Sequence, residues 1–397
     1  MQQRRHDIDA LRALAFALVI LYHVGMYYVA GWGWHVKSPH AAVWLQLPMR
    51  VINLWRMDLV FLISGLALGF LHKGQAGGGL LRQRSWRLLL PLVFGMAVLV
   101  PFQVYAQVVA NGSAPPGFGA FLLRYFSGGP WPKNAFDGAD VGVTWNHLWY
   151  LPYLWFYTTL LVLLLPVLQS APGRRLRQVF VGLRGGAMLL PVLPLMAWSL
   201  SLWPHFPPTH DLIHDAWMHA VYFTLFLYGW WIGTDNGWWK EAARLRRVML
   251  GAAIAMAVLH FSLRAQVAPG GLGEWKMLAR LAADLYLWTA LLAILGSAHT
   301  HLNRPWRWLP WAGESVYPWY MLHQTLIIVL VVWLAPLDFG PVFEPVLLVA
   351  GTALGCWGIT SVVRRSTWLR PLFGLKRSVL SQRPSPATPV RPAARNA

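Results

Sequence analysis

Apolar stretches of roughly 18–22 residues recur along the whole chain, separated by short polar segments, and each is long enough to cross about 30 Å of hydrocarbon. The pattern predicts ten membrane-spanning helices, at 10–30, 51–71, 88–109, 148–169, 186–203, 216–234, 247–264, 277–298, 316–335 and 344–363. The fifth is the weakest, being short and carrying Pro191 and Pro194. Proline is tolerated inside a membrane helix because neighbouring groups satisfy the carbonyl it leaves free. No soluble catalytic domain and no internal repeat is evident. The expected fold class is all-α: a polytopic membrane protein.

Loop charge tests the count independently. If the segments between spans are numbered alternately, starting inside, the inside segments hold 24 of the 33 Lys and Arg residues and the outside loops hold five. That asymmetry is what the positive-inside rule requires with both termini cytoplasmic, and an odd number of spans would scramble it. Composition agrees: 57% of residues are hydrophobic and 12% charged, about half the charged share of a soluble domain. The formal charge of +19 sits in short clusters between apolar runs, which argues against nucleic acid as a partner. Arg4 and Arg5 before an apolar stretch resemble a secretion signal, but Asp7, Asp9, Arg12 and His23 interrupt that pattern. Residues 1–363 read as one membrane domain and 364–397 as a basic, Pro/Arg-rich cytoplasmic tail that is expected to be disordered.

Charges inside spans carry the chemical information. Each costs about 2.5–3.5 kcal/mol near the bilayer centre, so it is either paired or functional. Arg280 and Asp284 are four residues apart and read as a helical ion pair. Arg12 and His23 are eleven residues apart. That spacing is three turns plus about 20°, so both lie on one face, about 16 Å apart along the axis. Asp58, Asp284 and His23 fall at a similar depth, roughly 10 Å below the outer surface. His147 stands at the outer end of the fourth span and His323 lies deeper in the ninth. Polar groups converging from several spans predict a cavity with chemistry in it. The single cysteine, Cys356, lies in an apolar run and is no candidate nucleophile. His210 and His214 in the His-rich segment 204–219 have i,i+4 spacing, but no matching Glu or Cys set completes a metal site, and none is expected.

Five motifs in order resemble acyltransferase family 3. They are Asp9-Ala-Leu-Arg12 with His23 following, Phe61-Leu-Ile-Ser64-Gly65, Arg84-Ser-Trp-Arg87, His147-Leu-Trp149-Tyr150 and Tyr320-Met-Leu-His323. Trp34-His35-Val36-Lys37-Ser38 and Arg56-Met57-Asp58 are similar to the glucan-biosynthesis type within that family. Pro318 in the ninth span and the His-rich segment depart from the pattern. The resemblance implies a bacterial inner-membrane enzyme that moves an acyl group from cytosolic acyl-CoA to an extracytoplasmic glycan. The glucan type implies succinyl from succinyl-CoA onto periplasmic glucan. Acetyl from acetyl-CoA onto a surface polysaccharide is an alternative, and transport of a glycan or lipid without acyl transfer is another.

Under that implication the residues take roles. Arg12, Arg84 and Arg87, at the cytoplasmic ends of their spans, suit the phosphates of CoA. His23 is expected to act as general base or to carry the acyl group, with Asp58 orienting its ring and Arg56 holding an oxyanion or a succinyl carboxylate. His147, Trp149, Tyr320 and His323 are expected to meet the acceptor. The whole scheme needs one passage through the bilayer, from Arg12 up to His23.

Overall fold

The computed structural model describes residues 5–71, 77–113, 117–267 and 274–377. Lys73 and the tail from 378 onward lie outside the described residues. Helices form where the apolar runs lie. In chain order they are α1 (His6–Tyr28), α2 (Gln46–Asn53), α3 (Arg56–Leu71), α4 (Gly77–Phe94), α5 (Val100–Ala110), α6 (Phe118–Phe126), α7 (Tyr150–Leu168) and α8 (Ala171–Gly182). They continue with α9 (Val192–Ser201), α10 (Ala216–Ile232), α11 (Asn236–Ala265), α12 (Glu274–His301), α13 (Leu309–Leu334), α14 (Gly340–Arg365) and the single turn α15 (Leu369–Leu372). Among the described residues the only β pairing is one isolated bridge, between Val29 and Ala42.

Among the described residues, eight helical stretches are long and apolar enough to cross a membrane, with Val43–Phe70 and Gly77–Ala110 each counted as one. They account for eight of the ten expected spans. The other two are shorter than the pattern suggested. α10 has 17 residues, at the lower limit for a crossing. The fifth span is broken: α8 and the stretch Gly185–Ser201 meet at 118°, so α8 does not extend it. A 3₁₀ segment, Gly185–Leu189, leads into the ten-residue α9, and Pro191 sits at the join. Proline has no N–H to continue the ladder, so the chain changes helix type there.

Several helices outrun their apolar cores. α11 begins at Asn236, eleven residues before the expected start, because its first turns carry the polar Lys240, Glu241 and Arg244 and are capped by Asp235, which accepts from the Trp238 N–H at 2.7 Å. α11 and α12 pack along their length, while α13 sits centrally against α1, α5 and α14. α3 and α10 cross closely, and a Cβ on Gly65 would lie 1.9 Å from the Phe226 carbonyl oxygen. One on Gly229 would lie 2.0 Å from the Leu62 oxygen. Small residues at such crossings let membrane helices approach closely.

The folded chain also continues beyond 363. Residues 366–377 turn back against the basic end of the bundle. Arg370 is buried, bonds Glu314 Oε1 at 2.7 Å and donates to the carbonyls of Arg364 and Lys376. Phe373 packs on Phe94, and the Gly374 carbonyl accepts from Arg87. This part of the expected tail is structured because its apolar residues and Arg370 find partners in the bundle.

Candidate active site

A cavity of about 1120 Å³ opens on the face opposite the basic clusters, above roughly the 300–1,000 Å³ usual for small-ligand clefts. Its mouth is formed by loop residues around 33–35, 137–147 and 203–211, and its floor reaches His23, Arg56, Asp58 and His147. Five tryptophans line it: Trp34, Trp145, Trp149, Trp203 and Trp217. Trp149 meets the His210 ring edge-on at 4.5 Å and stacks toward Tyr222 at 6.1 Å.

The loop between α9 and α10 is pinned over this mouth by Asp215. That carboxylate accepts from the Thr209 N–H at 2.5 Å, the Thr209 hydroxyl at 2.8 Å, the His210 N–H at 2.7 Å and the Tyr153 hydroxyl. The segment is not helical at 204–215, so His210 and His214 do not share a face. His214 pairs with Asp211 at 2.5 Å, and His219 bonds Tyr157 and the Leu212 carbonyl. Among the described residues no group of three or more His, Cys, Asp or Glu is arranged to hold a metal.

His23 is half-buried on α1 and stands at the cavity floor. Its Nδ1 lies 2.8 Å from the Val19 carbonyl oxygen and 3.3 Å from Nε2 of His323. A carbonyl only accepts, so the proton is on His23 Nδ1 and the lone pair is on Nε2. His323 has the same tautomer: its Nδ1 donates to the Tyr320 carbonyl at 2.7 Å, leaving Nε2 to accept from His23. The two rings therefore form a dyad: the nearer Val19 carbonyl sets the His23 tautomer, and His323 Nε2 shares the same N–H from 3.3 Å. The His23 ring is held by the Val19 carbonyl and His323, not by Asp58, and His323, expected to meet an acceptor, is fully buried and not on the cavity wall. Asp58 lines the cavity instead, within electrostatic reach of Arg280, Asp284 and Arg56.

His147 lies on the wall with both ring nitrogens engaged. Nε2 donates to the Met321 carbonyl at 3.0 Å, and Nδ1 accepts from Gln103 Nε2 at 3.3 Å. Gln103 also donates to Thr325 at 2.7 Å and accepts from Gln324 and Asn146, each at 3.1 Å. Gln324 donates onward to His35 Nε2 at 2.9 Å, and His35 Nδ1 donates to Gln107 at 2.6 Å. Every donor in this chain faces an acceptor, so the amide and imidazole orientations are mutually fixed. Burial holds the His35 imidazole below its ordinary value, opposed only in part by Gln107, which agrees with its neutral form here. His35, Gln103, Gln107, Gln324 and Thr325 were not among the expected site residues. Their signal is a polar residue at helical spacing inside an apolar run: 103 and 107 on one span, 324 and 325 beside His323.

Arg56 is buried with its guanidinium 3.4 Å from the Tyr22 ring centroid. Its polar contacts are Asn53, at 3.4 Å, and the Tyr22 side chain, while Nε and Nη1 are buried without a partner. Arg280 also lines the cavity, yet its charge is taken by Asp284 at 2.5 Å, as the spacing suggested. Asp284 itself is fully buried behind Arg280 and does not reach the cavity.

At the opposite end Arg12, Arg84 and Arg87 lie within electrostatic reach of one another. Arg12 donates to the Gly313 carbonyl at 2.9 Å, and the Nε atoms of Arg12 and Arg84 are buried without partners. None of the three lines the cavity. Between them and His23 stand Phe16, Tyr150 and Tyr320, whose ring centroids are 6.1, 5.5 and 5.7 Å apart. Tyr320, expected to meet an acceptor, is in this layer and donates to the His147 carbonyl at 2.7 Å. The single passage expected from Arg12 to His23 is closed in this structure.

Fold and site together define a polytopic membrane protein with a histidine-floored cavity on one side and a basic cluster on the other. The sequence profile of the acyltransferase 3 family, an acyltransferase domain, matches residues 5–361. The chain belongs to that family and is an acyltransferase. It is similar to glucans biosynthesis protein C of Escherichia coli, at 27% identity over 165 residues in strain 536 and over 160 residues in strain K12. Each alignment covers 40% of this chain and 38% of the relative, so the similarity spans well under half of either protein. No solved structure matches.

Proposed function

We propose that the protein transfers an acyl group, succinyl in preference to acetyl, from acyl-CoA on the basic side to a hydroxyl of a periplasmic glucan or related glycan on the other, in the inner membrane of a bacterium. One observation carries this reading: His23, with its lone pair on Nε2, lines a cavity open on the side away from the arginine cluster. The tryptophan lining supports a sugar acceptor, since flat aromatic faces cover the apolar faces of sugar rings. Asp137, Asn146 and Asp211 at the rim supply partners for hydroxyl groups.

In this reading Arg12, Arg84 and Arg87 hold the phosphates of CoA, and the arm carrying the thioester spans the roughly 16 Å to His23. His23 Nε2 takes the proton of the acceptor hydroxyl as its oxygen bonds the thioester carbon. The carbon–sulfur bond then breaks, and the proton passes from Nε2 to sulfur, giving the ester and free CoA thiol. The Val19 carbonyl, with His323, keeps the required tautomer throughout. The unpartnered Nε and Nη1 of Arg56 suit either the oxyanion or the far carboxylate of a succinyl group. The preference for succinyl rests on the likeness to the glucan-biosynthesis type. The test is to replace His23 with Ala, express it at the wild-type level, and weigh the periplasmic glucans by mass spectrometry. Acylated glucan with the wild-type protein and none with the variant is expected; equal acylation eliminates the mechanism.

A further inference from the structure

Three rings close the route that the reaction needs. Arg12, Phe16 and His23 follow one another along a single stripe of α1, with Phe16 one turn above the guanidinium. Phe16, Tyr150 of α7 and Tyr320 of α13 meet edge to face. The middle of a triangle with those sides is roughly 3.3 Å from each ring centre, inside the 3.5–4.0 Å at which carbon atoms touch, so no acyl chain fits through. The rings are also tied. The Tyr150 hydroxyl is 2.5 Å from Ser64 Oγ, and Ser64 donates to the Val60 carbonyl, so Tyr150 is the donor of that pair. Below, Tyr150 feels Arg12 and Arg84; above, Tyr320 lies 6.1 Å from the His323 ring.

Two breaks in helical regularity flank this layer. Pro318 is buried inside α13, two residues before Tyr320, and cannot donate to the Glu314 carbonyl. A five-residue π-turn, Gly95–Leu99, separates α4 from α5. Its Gly95 faces Leu148 and Met321, neighbours in sequence of Tyr150 and Tyr320, and a Cβ there would lie 2.4 Å from Leu148. Both are the kinds of irregularity at which helices bend.

We propose that Phe16, Tyr150 and Tyr320 form a partition between the donor side and the water-filled acceptor cavity, parted by flexing of α13 at Pro318. Closed, it keeps water away from the thioester; open, it lets the acyl carbon reach His23. This rests on the acyl-transfer reading above and gives the partition a separate signature. If it leaks, water replaces the acceptor: the water oxygen bonds the acyl carbon, the carbon–sulfur bond breaks, and sulfur leaves as thiol with a proton from that water.

The experiment uses the purified full chain in lipid vesicles, with succinyl-CoA or acetyl-CoA as donor and thiol release read by a chromogenic disulfide. Without a glycan, Phe16→Ala releases CoA roughly tenfold faster than wild type, because the water barrier is thinned. With a glycan, fewer acyl groups reach it per CoA consumed. Phe16→Leu, which keeps the apolar volume but not the ring, shows the same direction and serves if the alanine variant does not fold. Pro318→Ala, which restores a backbone hydrogen bond, slows glycan acylation several-fold at unchanged donor KM. Wild-type thiol release in both Phe16 variants, with wild-type acylation in Pro318→Ala, overturns the partition while leaving acyl transfer standing. A wild-type protein that neither consumes acyl-CoA nor modifies glycan overturns both.

Discussion

His323 illustrates how little separates a packing residue from a working one. Both its nitrogens are satisfied and it is sealed from the cavity, so in the proposed mechanism it acts only through the Nδ1–H of His23, which the Val19 carbonyl also holds. Replacing His323 with Ala leaves the Val19 carbonyl as the remaining acceptor for that N–H and loosens the tilt of the His23 ring. The expected result is a kcat lower by roughly 10- to 100-fold with acceptor KM unchanged, since a misplaced base loses most of a general-base advantage. His323→Gln, which can accept through its amide oxygen, is expected to recover part of the loss. Steady-state kinetics on both variants separate this from a structural defect, which lowers the amount of folded enzyme without discriminating between them. The alignment of Arg12 with His23 was legible in the sequence because both lie on one helix, where spacing alone fixes the face. The dyad was not, because His323 comes from α13, and only packing decides which groups of separate helices meet. The same holds for Tyr320, which spacing could not distinguish from an acceptor contact.

At the scale of elements, the Phe61-Leu-Ile-Ser64-Gly65 motif gains a mechanical reason. Gly65 touches the backbone of α10 and Ser64 secures Tyr150, so one turn of α3 sets both a helix crossing and a ring. A methyl group at 65 has nowhere to go, because its neighbour is a carbonyl oxygen and not a flexible side chain. Gly65→Ala is therefore expected to cost at least the 1–3 kcal/mol typical of overpacking, roughly, and to lower the melting temperature in detergent. An unchanged melting temperature contradicts the crossing. Element positions were readable from apolar length, and eight of ten spans followed it. α9 and α10 deviated because length is a poor guide where Pro191 interrupts the ladder and where α10 stops at 17 residues. Residues 366–377 were misread because a basic, Pro-containing segment looks solvated in sequence, whereas Arg370 and Phe373 are held by Glu314 and Phe94.

For the whole molecule, the proposed mechanism makes the layout two half-sites back to back. The outer one is a wide aromatic cavity ending at an imidazole. The inner one is a group of arginines with buried unpaired donors, and a layer of three rings separates them. The distribution of Lys and Arg, 24 in inside segments against five in outside loops, assigns a direction to this arrangement. What the sequence could not reveal is that the passage is shut, because closure depends on rings from three helices meeting at one depth. The account stands on vectorial transfer: donor from the basic side, acceptor from the other. Vesicles holding the protein in one orientation, with succinyl-CoA and glucan supplied in all four combinations of side, measure this directly. Acylated glucan is expected only when acyl-CoA is on the side of Arg84 and Arg87 and glucan is on the side of Trp34 and Trp149. Equal product with both substrates on one side contradicts it.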